Sequence, residues 1–314
     1  MLVEIIILIL VNFFLFKKFK FIGEKLNLID RPDKNLKFHK NTSFTIGGLI
    51  FLINITIIFI SSHFENKSFF NIKNDLIFYG IFILIFFVGY LDDKKNLSPN
   101  IKFVVLIFLI SLCLLIEPTN QINSLYFSSI DKVISVENHS FFFTLLCYLL
   151  FLNAVNMFDG INLQLGLYSF LGLIYLFIYT QNFQYLYLII FLICFLILNF
   201  RGKLFMGDNG SLSIAFFFSY LFINNYNLEK FQSVEQIFIF MAIPGIDMLR
   251  LFAVRLLNKK NPFKADREHI HHKLLIWLGY KKTSLILAIL QFTVVLLIYL
   301  ELNYIVILLL ILFS

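Results

Sequence analysis

Residues 184–203 read QYLYLIIFLICFLILNFRGK, seventeen residues without a charge followed by Arg201 and Lys203 around a glycine. At 1.5 Å per residue, a helix of that length approaches the ~30 Å hydrocarbon layer of a bilayer. The two cations stop it where lipid gives way to water. Runs of the same kind recur on both sides, at about 3–16, 44–62, 76–91, 101–116, 140–155, 163–180, 211–224, 235–256, 283–300 and 302–313. The reading is an all-α fold, a polytopic transmembrane helical bundle of ten or eleven spans, the last run being the shortest. Composition points the same way. Of 314 residues, 60% are hydrophobic and 14% are charged, against about 25% charged in an ordinary soluble domain. Too few charges remain to cover a water-facing surface, which excludes a soluble enzyme. The first run carries Glu4 where a secretory signal has cations, and no small-residue cleavage site follows. It reads as a permanent helix flanked by Lys17, Lys18 and Lys20.

Alternation of the runs sorts the connections onto two sides. With the N-terminus extracytoplasmic, the cytoplasmic segments are about 17–43, 92–102, 156–162, 201–210 and 250–282. They hold 22 of the 26 Lys and Arg residues, and only Lys67, Lys73, Lys132 and Lys230 fall outside. Cytoplasmic loops carry such an excess of cations, so the split supports this topology. No soluble domain or tandem repeat is visible, and residues 1–314 read as one integral-membrane domain. Cys113, Cys147 and Cys194 lie inside apolar runs without C-x-x-C spacing, as small buried hydrophobes.

Acidic and amide residues gather at the ends of the runs that face these segments. Gly89-Tyr90-Leu91-Asp92-Asp93 closes one run, and Asn153-Ala154-Val155-Asn156-Met157-Phe158-Asp159-Gly160 closes another. Phe205-Met206-Gly207-Asp208-Asn209-Gly210-Ser211 opens a third. Asp247 sits inside the ninth run near Arg250, and Asp266-Arg267-Glu268-His269-Ile270-His271-His272 fills the last inner segment. Adjacent acids beside lipid are costly unless a cation neutralises them. Mg²⁺ suits such a set, since it takes one or two carboxylates and completes its shell with water and phosphate oxygens. Asp208 and Asn156 are the candidate oxygen ligands, and Mn²⁺ is the alternative ion. Lys37, His39, Lys94, Arg267 and the histidines supply positive charge. A metal with basic clamps and no Ser-His-Asp set points to phosphoryl transfer, where catalysis is positioning and charge neutralisation. At helical spacing His269 and His272 share a face and His271 does not, with no fourth ligand evident, which makes a zinc site the weaker reading. A membrane transporter of a cation or phosphate is the competing class, and only Asp247, within a run, favours it. A prenyl-transferase-like enzyme would need a second Asp-rich cluster.

At these residues the sequence resembles the polyprenyl-phosphate N-acetylhexosamine-1-phosphate transferases. Gly89–Asp93, Asn153–Gly160, Phe205–Ser211, Pro244–Asp247 and Asp266–His272 occur in family order across most of the chain. His-Ile-His-His after Asp-Arg-Glu is most like the undecaprenyl-phosphate N-acetylglucosamine-1-phosphate transferase branch, glycosyltransferase family 4. The resemblance implies an enzyme of the cytoplasmic (inner) membrane whose active site faces the cytoplasm. It implies a UDP-N-acetylhexosamine donor, most like UDP-GlcNAc, a polyprenyl-phosphate acceptor and Mg²⁺. UMP and a lipid-linked diphospho-sugar that starts cell-envelope polysaccharide synthesis would be the products. It further implies Asp92, Asp93 and Asp208 as catalytic residues, with Asp208 the principal Mg²⁺ ligand and Asn156 near it. Lys37, His39, Asn153, Asn156, Asp159, Asn162, Asp247, Arg267, His269, His271 and His272 would bind substrate. A homodimer is a further expectation, and no nucleic-acid partner is expected. The chain departs from the family pattern at Leu36, where Arg is usual, at Phe44 in place of Pro, and at Asn162 in place of Asp.

Overall fold

The computed structural model describes residues 2–31, 42–64, 72–259 and 269–300. Lys37, His39, Arg267 and the run at 302–313 lie outside the described residues. The elements are α1 (Leu2–Lys17), α2 (Phe19–Leu26), β1 (Ile29–Asp30), β2 (Ser43–Phe44), α3 (Gly47–Phe64), α4 (Ile72–Lys95), α5 (Pro99–Ile116), β3 (Ser124–Phe127) and β4 (Lys132–Ser135). They continue with α6 (Ser140–Phe158), α7 (Gln164–Thr180), α8 (Gln184–Phe200), α9 (Gly207–Asn227), α10 (Val234–Leu257), α11 (Ile270–Leu278) and α12 (Tyr280–Tyr299). Each of the first ten apolar runs contains a helix. Among the described residues, Asn74–Lys95, Pro99–Ile116, Glu137–Phe158 and Val234–Leu257 are long and apolar enough to cross a membrane, and four shorter apolar helices accompany them. The chain is a multi-pass helical membrane protein.

Three differences from the sequence reading bear on the site. Helices overrun their apolar runs, because backbone hydrogen bonding continues where hydrophobicity stops. Helix α4 continues through Asp92 and Asp93 to Lys95, α6 reaches Phe158, and α9 opens at Gly207. Asp92, Asp93 and Asn156 are therefore helical residues and not loop residues. Two short helices, α2 and α11, lie within the connecting segments 17–43 and 250–282. Between α5 and α6 the chain forms a β-hairpin, with Ser124 opposite Ser135 and Phe127 opposite Lys132.

Helix α9 is the axis of the bundle. Every residue from Asn209 to Asn225 is buried, and α3, α4, α6 and α7 pack around it. Its own sequence permits this, with Asp208 as its one charge and Ser211, Ser213, Ala215 and Ser219 as small residues. Small residues let helices approach closely inside a bilayer. Gly48 of α3 and Gly89 of α4 complete the approach: a Cβ on either would strike the backbone of α9, at Gly210 and at Asp208 to Asn209 respectively. Aromatic rings fill the space beyond. Phe51 meets Phe217 edge-on at 5.6 Å on one side, and Tyr175 stacks on Phe240 at 5.7 Å on the other. Phe13, Val104, Phe108, Leu115 and Phe142 face outward as a lipid-facing coat.

A reciprocal amide pair fixes α1 against α3. Asn12 Nδ2 donates to Asn54 Oδ1 at 2.7 Å, and Asn54 Nδ2 donates to Asn12 Oδ1 at 3.0 Å, both side chains buried. Asn54→Leu leaves Asn12 Oδ1 without its donor, while Asn12 Nδ2 keeps Leu8 O at 2.8 Å. The expected cost is about 1 kcal/mol, within the range for hydrogen bonds between membrane helices, read as a lower melting temperature in detergent.

The connections gather at two ends of the bundle. At one end β1 pairs with β2, and Phe44 bridges to Leu204 in the α8–α9 connection. Phe205 N donates to Phe44 O at 2.8 Å and Gly47 N to Phe205 O at 3.1 Å, which holds the starts of α3 and α9 together. Phe44, in the position where the resembling family has Pro, packs edge-on against Phe19 at 5.7 Å. At the other end the β3–β4 hairpin is tied down by Tyr126 N to the Tyr226 hydroxyl at 2.9 Å and by Ser129 N to Glu235 Oε1 at 3.0 Å.

Candidate active site

The site forms where the last turn of α4 meets the first turn of α9. A helix N-terminus leaves backbone N–H groups without intrahelical partners and carries partial positive charge. Asp93 answers both. Its Oδ1 accepts from Asp208 N at 3.0 Å, its Oδ2 accepts from Asn209 N at 2.9 Å, and the Asn209 side-chain amide donates to the same oxygen. Asp93, expected as half of a catalytic pair, turns its carboxylate to the start of α9 and so places Asp208. Asp93→Ala leaves three donors without their acceptor. A charged hydrogen bond is worth about 1.5–3 kcal/mol, so the expected result is a clearly lower melting temperature together with lost activity. Asp93→Asn, which keeps one acceptor, recovers part of both.

Asp92 points elsewhere. Its Oδ1 accepts from Leu97 N at 2.8 Å, and its Oδ2 lies 2.6 Å from Lys102 Nζ. The same ammonium is 3.7 Å from Asp208 Oδ2. Two carboxylates from different helices thus converge on one cation position. Asp208 is the open member, its side chain 37% exposed against 9% for Asp92. A convergent, partly open oxygen pair fits a hard divalent cation, which takes one or two carboxylates and keeps its remaining positions for water and phosphate.

Lys102 had been read only as one inner cation among many. The signal lay in Ser98-Pro99, a helix start in which the Ser98 hydroxyl accepts from Ile101 N. That start puts Lys102 in the first turn of α5, ten residues beyond Asp92. Which way it faces depends on how α5 packs on α4, and no local pattern encodes that.

The amide residues of α6 and its following turn are brought to the same end. Asn156 Oδ1 accepts from the Ser211 hydroxyl of α9, which places Asn156 one turn from Asp208. Asn153 donates back to Leu149 O at 2.7 Å. Asn162 donates to Asn199 O at 2.7 Å, so its amide secures the turn against α8. Burial raises Asp159 to about 7, with the Asp93 charge adding to the effect.

Asp247 and the histidines form a second group. Asp247 Oδ1 accepts from Arg250 Nη2 at 2.8 Å and from Ile270 N at 3.1 Å, and its Oδ2 lies 2.9 Å from His269 Nδ1. The expectation that His271 faces away from its neighbours is corrected. The His269 and His271 rings stack at 5.3 Å, and His271 and His272 lie 4.2 Å apart. His269 precedes α11 with extended backbone, φ −61° and ψ 148°, so helical spacing does not govern it. His271 is 2% exposed. Burial, with His272 and His269 alongside, pushes its ring down to about 3 and keeps it neutral.

Residues 76–225 match the model of glycosyl transferase family 4. That segment runs from α4 to α9 and contains Asp92, Asp93, Lys102, Asn156 and Asp208. Over this stretch the chain is similar to glycosyl transferase family 4. Curated relatives cover more of the chain. A probable undecaprenyl-phosphate N-acetylglucosaminyl 1-phosphate transferase of Bacillus subtilis is 27% identical over 285 residues, 87% of this chain and 77% of the relative. The undecaprenyl-phosphate alpha-N-acetylglucosaminyl 1-phosphate transferase of Salmonella typhi is 29% identical over 262 residues, 79% and 69% of the two chains. A Thermotoga maritima protein of the same name is 25% identical over 280 residues, 89% and 84%.

Proposed function

We propose that this protein is a family 4 enzyme that transfers N-acetylglucosamine 1-phosphate from UDP-GlcNAc to undecaprenyl phosphate, releasing UMP, at the cytoplasmic face of the bacterial inner membrane. The names of the relatives supply the substrates. The observation that carries the reading is the convergence of Asp92 and Asp208 on one cation position at the N-terminus of α9. The excess of Lys and Arg in the segments joining this end supports a cytoplasmic site and an extracytoplasmic N-terminus.

Asp208 and Asp92 are the residues that would hold Mg²⁺, with Asn156 beside them. When bound, the ion would neutralise charge on the donor diphosphate. The protein's own groups do the remaining work. Asp93 fixes the start of α9, so Asp208 cannot drift. Lys102 occupies the place between Asp92 and Asp208 when no ion is bound, and once displaced it offers an ammonium to the incoming lipid phosphate. Asp92 acts through the cations it holds, which draw that phosphate into line with the β-phosphorus. A phosphate monoester has its second pKa near 6, so at pH 7 it arrives mostly dianionic and needs little deprotonation. Asp92→Asn is then expected to retain measurable turnover. Label exchange between UMP and UDP-GlcNAc without lipid acceptor would instead establish a phospho-aspartyl route.

The test is a membrane assay with undecaprenyl phosphate, Mg²⁺ and a panel of UDP-sugars, scoring UMP release. UDP-GlcNAc is expected to be the best donor. No UMP from any donor, with ion uptake into proteoliposomes, would overturn the proposal in favour of transport.

A further inference from the structure

We propose that Asp247, His269 and His271 form a binding site for a zinc-like divalent cation, separate from the magnesium position at Asp208. The argument rests on donor geometry. One ligand atom from each residue lies within 4.8 Å of the other two, and all three side chains are buried. Neither ring nitrogen of His271 has a hydrogen-bond partner among the described residues, although the side chain is almost wholly enclosed. Leaving buried polar atoms unpaired costs about 1–3 kcal/mol each. A metal ion relieves that cost at whichever nitrogen it takes.

His269 is prepared for the same task. Asp247 Oδ2 takes its Nδ1 at 2.9 Å, while Asp247 Oδ1 is held by Arg250 and by Ile270 N. Asp247 Oδ2 and His269 Nδ1 thus face one another, and an ion at this place would take the position of the proton they share. Behind His271 the backbone closes in, since a Cβ on Gly160 would collide with its Nε2. The ring therefore has little freedom to turn away from the cluster.

Two imidazoles and a carboxylate with an open fourth position are the donor set of three-ligand zinc sites. Imidazole donors select Zn²⁺ or Co²⁺, and Mg²⁺ prefers oxygen. Such an ion would tie α10 to the start of α11 beside the turn that carries Asp159. The inference stands apart from the transfer reaction, because metal binding is read without any UDP-sugar.

The experiment uses the full chain in detergent, stripped with a chelator and titrated with Co²⁺. One equivalent is expected to bind with the visible absorption of a tetrahedral nitrogen–oxygen site. Zn²⁺ displaces it, and a large excess of Mg²⁺ does not. His271→Ala and His269→Ala each bind Co²⁺ at least 100-fold more weakly, while Asp208→Ala keeps the signal. Circular dichroism confirms that each variant is folded, and His271→Asn serves if the alanine variant is not. Absence of the band in folded wild-type protein overturns the proposal, as does a band that survives in both histidine variants.

Discussion

Asp208→Ala lowers UMP release by about 10³-fold or more, equivalent to ~4 kcal/mol of transition-state stabilisation at 1.36 kcal/mol per tenfold. The size follows from its position. Asp208 is the exposed carboxylate of the convergent pair, and α9, α4 and Asp93 exist in their present arrangement around it. Folding should survive, because Lys102 keeps its 2.6 Å contact with Asp92. The direct readout is thermal. Mg²⁺ raises the melting temperature of the wild-type protein, as any ligand of the native state does, and the rise vanishes in Asp208→Ala. Wild-type turnover in a folded variant would remove Asp208 from the reaction.

Lys102→Met gives the second large effect, a fall of about 10²-fold, the scale of losing one preorganised donor. Lys102→Arg recovers part of the activity, because it restores charge with a different shape. The informative outcome is again thermal. Without divalent cations the methionine variant melts lower than wild type, since Asp92 and Asp208 lose the charge between them. Added Mg²⁺ then produces a larger rise than in wild type, because the ion no longer competes with an ammonium 2.6 Å from Asp92. An equal or smaller rise would mean that Lys102 and the ion occupy different places.

The sequence made the helices legible because lipid imposes a long, simple rule on composition, and each of the first ten runs holds a helix. The stretches that meet at the start of α9 were legible as well, as acidic and amide residues at the ends of those runs. The roles of neighbours were not legible. Asp92 and Asp93 are identical in type and adjacent, yet one faces Lys102 and the other caps α9, a difference set by about 100° of helical rotation. His271 looked misplaced only because helical spacing was applied across His269, which stands before the helix begins. The hairpin at 124–135 was missed because a short strand pair leaves a faint mark among long apolar runs. Asn162 gave no sign in sequence that its amide would close on Asn199.

The enclosure of α9 on every side has a consequence for how the protein is made. A segment carrying Asp208, Asn209, Asn224 and Asn225 gains little by entering lipid alone, and it is not among the four helices apolar enough to do so by themselves. It must be received by helices already in place, and α3, α4, α6 and α7 are all synthesised before it. Biogenesis and catalysis thus share one ordering: the groove that awaits α9 in the nascent chain is the one that later fixes its carboxylate.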